Sequence, residues 1–213
     1  MGFIIVVNCK AYPEVMGFKV VDFCHSLATL SSVIVVPSVP MLSSVGSVLP
    51  GRVCSPHVDF VSSGAYTGYV SAVELKKIGV KYVLINHSEH RVKNDVLVKT
   101  VKLCLSLNLK VIVCAQSVSE VSRFSRLGVF AVAYEPKELI GTNVSVVEKH
   151  SIQVVKSVAA CKAYGVRLFI GAGVHSASDI SDAKKLGAQG IILSHAVCRS
   201  KDPQKKIKEL MSK

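Results

Sequence analysis

Several short stretches of this 213-residue chain set residues capable of chemistry side by side. Asn8-Cys9-Lys10 ends an apolar run with an amide and a compact positive charge; the plain alternative for Lys10 is a solvated surface lysine. Asn86-His87-Ser88-Glu89-His90-Arg91 places polar residues directly after Val83-Leu84-Ile85, an unusual composition for a purely structural turn. Tyr134-Glu135-Pro136 puts a carboxylate at the end of another apolar run, ahead of Lys137-Glu138-Leu139-Ile140-Gly141-Thr142-Asn143. A carboxylate followed by Pro and a glycine-containing loop suits a general base beneath a lid; the alternative is a helix N-terminal charge. Gly171-Ala172-Gly173 opens toward a helix expected to start at Ser176. Backbone amides in such a turn approach an anion closely, and the helix dipole favours phosphate.

These residues need elements to position them, and the chain supplies a repeated unit. Four times it reads Ser-x-x-acid, a helical run, a Gly and a β-branched strand. The instances are Ser71/Glu74 to Gly79, Ser117/Glu120 to Gly128, Ser145/Glu148 to Gly165 and Ser176/Asp179 to Gly187. In each, the serine oxygen is expected to accept from first-turn amides, the acid to bond back, and the Gly to end the helix in a left-handed turn. Helical spacing marks one face at Val20, Val21, Cys24, Leu27 and Ala28, and another at Leu97, Val101, Cys104 and Leu105.

The units predict strands at 80–85, 129–133, 166–170 and 191–193. Further strands are predicted at 3–7, 33–36, roughly 52–55 and 109–114. Most are continuous apolar runs, which indicates a sheet buried on both faces and therefore parallel. The fold class is α/β, and eight strand–helix units favour an eight-stranded parallel (β/α)8 barrel over an open doubly wound sheet. Such barrels typically need ~250 residues but can run near ~200. No linker or low-complexity tract divides residues 1–213, so a single domain is expected. In either architecture chemistry sits past the C-terminal strand ends.

Composition narrows the function classes. Half the residues are apolar and 19% are charged, enough to bury a real core. No apolar run reaches the ~18 residues of a membrane span, and the N-terminus lacks the basic flank of a signal peptide. The seven cysteines are scattered without a Cys-x-x-Cys pair. A disulfide framework or zinc ribbon is therefore not expected, and a reducing cytoplasm is. Neither histidines nor cysteines show metal-ligand spacing, so no metal and no cofactor is implied. The net charge of +12 is spread over Lys76-Lys77, Lys184-Lys185 and Lys201 to Lys213. Trp is absent and aromatics make up only 6%. That pattern suggests solvated helix faces rather than a nucleic-acid partner.

Taken in order, Asn8-x-Lys10, Gly64-Ala65-Tyr66-Thr67-Gly68, Asn86-His87-Ser88-Glu89, Tyr134-Glu135-Pro136 with Ile140-Gly141-Thr142, and Gly171-Ala172-Gly173 resemble the triosephosphate isomerase family. The resemblance runs in register over essentially the whole chain and looks like the shorter archaeal branch. It implies a TIM barrel and a cytoplasmic enzyme of glycolysis and gluconeogenesis that interconverts dihydroxyacetone phosphate and D-glyceraldehyde 3-phosphate through an enediol(ate). By resemblance, Glu135 takes the carbon proton, His87 polarises the carbonyl, and Lys10 with Asn8 supports the developing oxyanion. This family is the standard case of a neutral imidazole working opposite a glutamate base. Glu89 would orient the site, Ile140 and Gly141 would offer lid amides, and Gly173 a cradle amide. Cys114 matches a buried cysteine near the base, where packing is its expected role. The loop 64–68 would reach into a neighbouring subunit, so a homodimer is expected, with a tetramer as the larger option.

Some positions depart from the family. Ser194-His195-Ala196 follows the last strand where small residues including glycine are usual. The amides of Ser194 and His195 should still meet the phosphate; the His195 imidazole either points away, leaving only the amides, or adds a side-chain donor. The lid ends Thr142-Asn143 where glycine is commoner. At Tyr69 and His90 many relatives carry an acid and an arginine paired across a subunit interface. A competing reading, a Schiff-base aldolase on a similar barrel, would need a lysine within an inward-facing strand; Lys10 stands at a strand end instead.

Overall fold

The computed structural model describes residues 2–139 and 145–212. Eight parallel strands run β1 (Ile4–Asn8), β2 (Val33–Val36), β3 (Cys54–Ser55), β4 (Tyr82–Ile85), β5 (Lys110–Ala115), β6 (Ala131–Tyr134), β7 (Arg167–Ile170) and β8 (Gly190–Leu193). They pair in the order β2-β1-β8-β7-β6-β5-β4-β3. One parallel bridge, Val35 with Val53, joins the two ends, so the barrel is nearly closed. Around it lie α1 (Lys19–Ser26), α2 (Leu42–Val48), α3 (Ala72–Lys77), α4 (Asn94–Ser106), α5 (Val118–Ser125), α6 (Val146–Lys149), α7 (Ser151–Lys162), α8 (Ala177–Lys185), α9 (His195–Cys198) and α10 (Pro203–Leu210).

The continuous apolar strands are explained by two cores. Val6, Ile34, Val36, Leu84, Ile112, Cys114, Ala133, Phe169 and Ile192 form one buried cluster. Their strand neighbours Ile5, Val7, Val35, Val83, Ile85, Val113, Val132, Leu168 and Ile191 join a second cluster with the helices. Side chains alternate along a strand, so the first set fills the barrel and the second packs outward. Gly190 makes room for the Phe169 ring, because a Cβ there would stand 2.6 Å from it and 2.7 Å from the Ile4 carbonyl oxygen.

The repeated unit is real, but its caps differ from the expected uniform pattern. All four helix-ending glycines take left-handed φ between 66° and 96°. Only Ser176 and Asp179 form a full reciprocal capping box. Ser117 accepts from the Glu120 amide, while the Glu120 carboxylate bonds the Gln116 amide and Arg91 instead. Ser145 accepts from Val147, and its helical run breaks at His150 into α6 and α7. The Ser71 hydroxyl donates to the Ser62 carbonyl, which removes it from capping.

Candidate active site

Inward alternation carries past the strand ends and delivers polar residues to the C-terminal mouth. Asn8 follows Val6, Asn86 follows Leu84, Glu135 follows Ala133, Gly171 follows Phe169 and Ser194 follows Ile192. A cavity of about 420 Å³ at that mouth is lined by Asn8, Lys10, His87, Glu135, Gly173, Ser194 and His195 together. A second hollow of about 610 Å³ shares Asn8, Lys10 and His87 and extends to Thr67, Tyr69 and His90. The expected lid residues Ile140 and Gly141 lie outside the described residues.

Glu135 is 1% exposed, and neither carboxylate oxygen has a hydrogen-bond partner. Burial pushes its pKa up to about 7, against weaker pulls from the Cys114 thiol beside it and the Lys10 charge. The thiol does not meet hydrogen-bond geometry, so it offsets little of the desolvation. Cys114 is itself raised well above the thiol range by burial and by Glu135, which makes it a packing residue and not a nucleophile. Space for the carboxylate comes from Gly171, where a Cβ would lie 2.3 Å from the Glu135 Cγ and Oε1.

His87 Nε2 stands 3.8 Å from Glu135 Oε2. Its other nitrogen, Nδ1, accepts the Glu89 amide at 3.2 Å, which leaves the proton of a neutral ring on Nε2, facing Glu135. Burial lowers the His87 pKa; the Glu89 charge opposes this and the Lys10 charge adds to it. The imidazole is therefore held neutral near pH 7. Glu89 lies well before α4 and is no helix cap. Its carboxylate accepts from Lys10 Nζ at 2.6 Å.

Two residues in left-handed backbone aim these groups. Lys10 has φ 47° and donates its amide to Asn8 Oδ1 at 3.1 Å. Asn86 has φ 67°, which breaks the strand alternation and swings His87 to the mouth. Asn86 is buried; its Nδ2 donates to the Cys114 carbonyl at 2.9 Å and its Oδ1 accepts the Val92 amide at 3.1 Å. Strained conformers of this kind persist where surrounding bonds over-determine them. The positioning work of Asn86 and the space at Gly171 escaped sequence reasoning, because both depend on contacts between different strands.

On the side of the cavity formed after β7 and β8, Gly173 takes φ 65°, and Asp179 accepts the His175 and Ser176 amides at 3.0 and 2.8 Å. The α8 start is thus largely capped by its own carboxylate. The Ser194 hydroxyl donates to the Asn8 carbonyl at 2.7 Å, tying β8 to β1. His195 faces the cavity with its Nε2 against Arg199 Nη1 at 3.1 Å, and Arg199 Nε donates to Glu14 at 2.7 Å. Arg199 and Glu14 carried no sequence signal, since they meet only when the chain closes. Among the described residues no group of three or more His, Cys, Asp or Glu could hold a metal ion.

A family model described as triosephosphate isomerase matches residues 3–211. The triosephosphate isomerase of Thermoplasma volcanium is 36% identical over 211 residues, covering 98% of this chain and 99% of its own. Those of Saccharolobus solfataricus and Pyrobaculum calidifontis are each 35% identical, over 98% and 97% of this chain and 95% and 94% of their own. With the barrel, the ordered motifs and these matches in agreement over nearly the full length, the chain belongs to the triosephosphate isomerase family, an isomerase family.

Proposed function

We propose that Glu135 and His87, with Lys10, carry the family's interconversion of dihydroxyacetone phosphate and D-glyceraldehyde 3-phosphate in this chain. The observation behind this reading is the pair itself: a buried carboxylate with no partner, opposite a neutral imidazole whose Nε2 carries the proton. Ionised Glu135 takes a proton from the carbon beside the carbonyl. The electron pair moves to the carbonyl oxygen, which receives a hydrogen bond from His87 Nε2–H. A proton then passes from the hydroxyl on that first carbon to the former carbonyl oxygen, with His87 Nε2–H placed to relay it, so the first oxygen becomes the new carbonyl while the same carboxylate returns its proton to the adjacent carbon on the same face. A low-dielectric cavity strengthens both steps. Lys10 offers positive charge to the oxyanion and Asn8 holds the Lys10 backbone, while the amides of Gly173, Ser194 and His195 and those of Ile140 and Gly141 receive the phosphate. The test is a coupled assay of dihydroxyacetone phosphate formation from glyceraldehyde 3-phosphate; no turnover above background would sink the reading.

The active form on this reading is a homodimer or a tetramer of such dimers. Tyr66 and Tyr69 on the loop, and Met16 and Phe18 nearby in sequence to Lys10, are exposed large apolar residues that a second copy would cover. His90 stacks on His57 at 4.3 Å, and His57 Nε2 is 3.1 Å from Asp59 Oδ1, so the position of the relatives' arginine already has a partner within the chain. Sedimentation is expected to give a dimer or larger at micromolar concentration; a fully active monomer would refute it. A cytoplasmic setting is part of the same reading. It draws on seven buried free thiols and on the lack, among the described residues, of a helix long and apolar enough to cross a membrane.

A further inference from the structure

Two side chains one helical turn apart stand together after β8. His195 opens α9 and Arg199 follows its last residue, so they form an i,i+4 pair on one face of that turn. His195 Nε2 and Arg199 Nη1 are 3.1 Å apart. A guanidinium carries donors and no acceptor, so the imidazole nitrogen must accept here. A ring that accepts on Nε2 holds its proton on Nδ1. The contact with Arg199 therefore selects the tautomer of His195.

Arg199 is itself anchored. Its Nε donates to Glu14 Oε1 at 2.7 Å, and Glu14 belongs to the short turn Pro13–Val15 that follows the Lys10 segment. Tyr12, from the same segment, meets the imidazole edge to face at 6.0 Å. The ring is thus held by Tyr12 and Arg199, both tied to the chain that follows β1. The Glu14 and Arg199 side chains are 38% and 53% exposed, and an ion pair so exposed adds little to stability. What it fixes is direction, because the planar guanidinium serves a carboxylate and an imidazole at once, which a lysine cannot do. The imidazole lines the cavity that also holds Lys10, Tyr12, Gly173 and Ser194. Among the described residues its Nδ1 has no hydrogen-bond partner, so the one N–H of the ring is left for a ligand.

We propose that Arg199, anchored by Glu14, is a positioning residue that holds His195 as an Nδ1–H donor to the phosphate of the triose phosphate. This rests on the triose phosphate reading of the cavity and adds to it a side-chain contact with its own support. A hydrogen bond to a dianion is stronger than one to a neutral acceptor. The guanidinium behind the ring strengthens it further, since a donor that is also accepting a hydrogen bond is polarised toward its own acceptor.

The first measurement is the His195 tautomer in the ligand-free full chain, by long-range proton–nitrogen correlation at about pH 8, above the ordinary imidazole pKa of ~6.5. The signals missing from His195→Gly identify the ring. Nδ1–H is expected in wild type, and Arg199→Met should release the ring to a mixture of tautomers. The second measurement is a double-mutant cycle on the binding of inorganic phosphate, followed by phosphorus NMR as the part that a phosphate-bearing enediolate mimic displaces. His195→Gly and Arg199→Met should each weaken phosphate by about tenfold, as for loss of one hydrogen bond to a charged group. The double variant should match His195→Gly within about twofold, because Arg199 acts through the ring. All these substitutions fall on exposed side chains. The proposal is overturned if the wild-type ring carries its proton on Nε2, if wild type binds no phosphate, or if Arg199→Met binds it as wild type does. It is also overturned if the two losses add, which would put Arg199 on the phosphate directly. Turnover is read separately: an inactive chain that shows the tautomer and the cycle sinks the catalytic reading alone, and an active chain without them sinks this proposal alone.

Discussion

Glu135 is a carboxylate that the fold keeps at some cost to stability. Its pKa is pushed up to about 7 by burial, well above the carboxylate range of an unfolded chain. Proton binding to the native state is therefore favoured, and native stability is lost as pH rises from the unfolded value through about 7. Glu135→Gln should for this reason be more stable than wild type at pH 8, by on the order of 3 kcal/mol, and nearly equal to it near pH 4. The same variant should lose at least ~10²–10⁴ in kcat, with KM changed far less. Denaturant unfolding at both pH values, beside steady-state kinetics, reads both effects; a stability gain independent of pH would contradict the assignment of this pKa. In wild type, kcat/KM should climb with pH until the carboxylate is ionised.

Gly171→Ala addresses the same residue from its neighbour. A methyl group at 2.3 Å from Glu135 Oε1 must displace the carboxylate. The expected loss is about 10²-fold in kcat, as for any misplacement of about 1 Å, with an unchanged circular dichroism spectrum. Wild-type kinetics in this variant would mean that the base has room to move.

At the level of elements, the turn after β4 has two duties: to end a strand and to aim His87. Asn86 performs both through left-handed backbone and two buried hydrogen bonds to parts of the chain that follow it. Asn86→Ala would strand the Cys114 carbonyl and the Val92 amide and keep an unfavourable φ. A loss of about 2–5 kcal/mol in stability is expected from these together. kcat should drop more than KM rises, because the imidazole loses its aim. The turn after β8 can be tested by substitution. If the His195 side chain reaches the phosphate, His195→Gly will weaken an enediolate mimic by about tenfold or more. An unchanged inhibition constant leaves the phosphate to the backbone amides.

Across the whole molecule the barrel is unequally closed. β1 pairs over four residues with β2 and over four with β8, whereas β2 meets β3 through one bridge and the Val35 amide bond to Arg52. β3 itself is two residues long. Local opening should begin at this seam, where few backbone bonds must break. Native-state hydrogen exchange is expected to find the Val35 amide at least about tenfold less protected than the β5 amides of Ile112 and Val113. Equal protection would show that the seam opens only with the whole barrel. The loop 64–68 lies in the connection from β3 to α3, so a second copy packed on it would also brace the seam.

Strand–helix alternation, parallel pairing and the strand ends were legible in the sequence, because burial on both faces writes itself as continuous apolar runs. Glu135, His87 and Lys10 were visible as polar interruptions at run ends. Their roles came from the resemblance, since no spacing in one dimension brings residues 10, 87 and 135 together. The four Ser-x-x-acid repeats located helix starts correctly, yet only Ser176 and Asp179 form the reciprocal cap. Ser117 and Ser145 cap with no acid bonding back, Glu120 turns to Arg91 and the Gln116 amide, and the Ser71 hydroxyl donates to the Ser62 carbonyl. The raised pKa of Glu135, the tautomer of His87 and the space at Gly171 were decided by tertiary structure alone. Each depends on how completely neighbouring strands exclude water and on which atoms cross the barrel to meet, and desolvation and steric contact between distant residues leave no periodic trace in the chain.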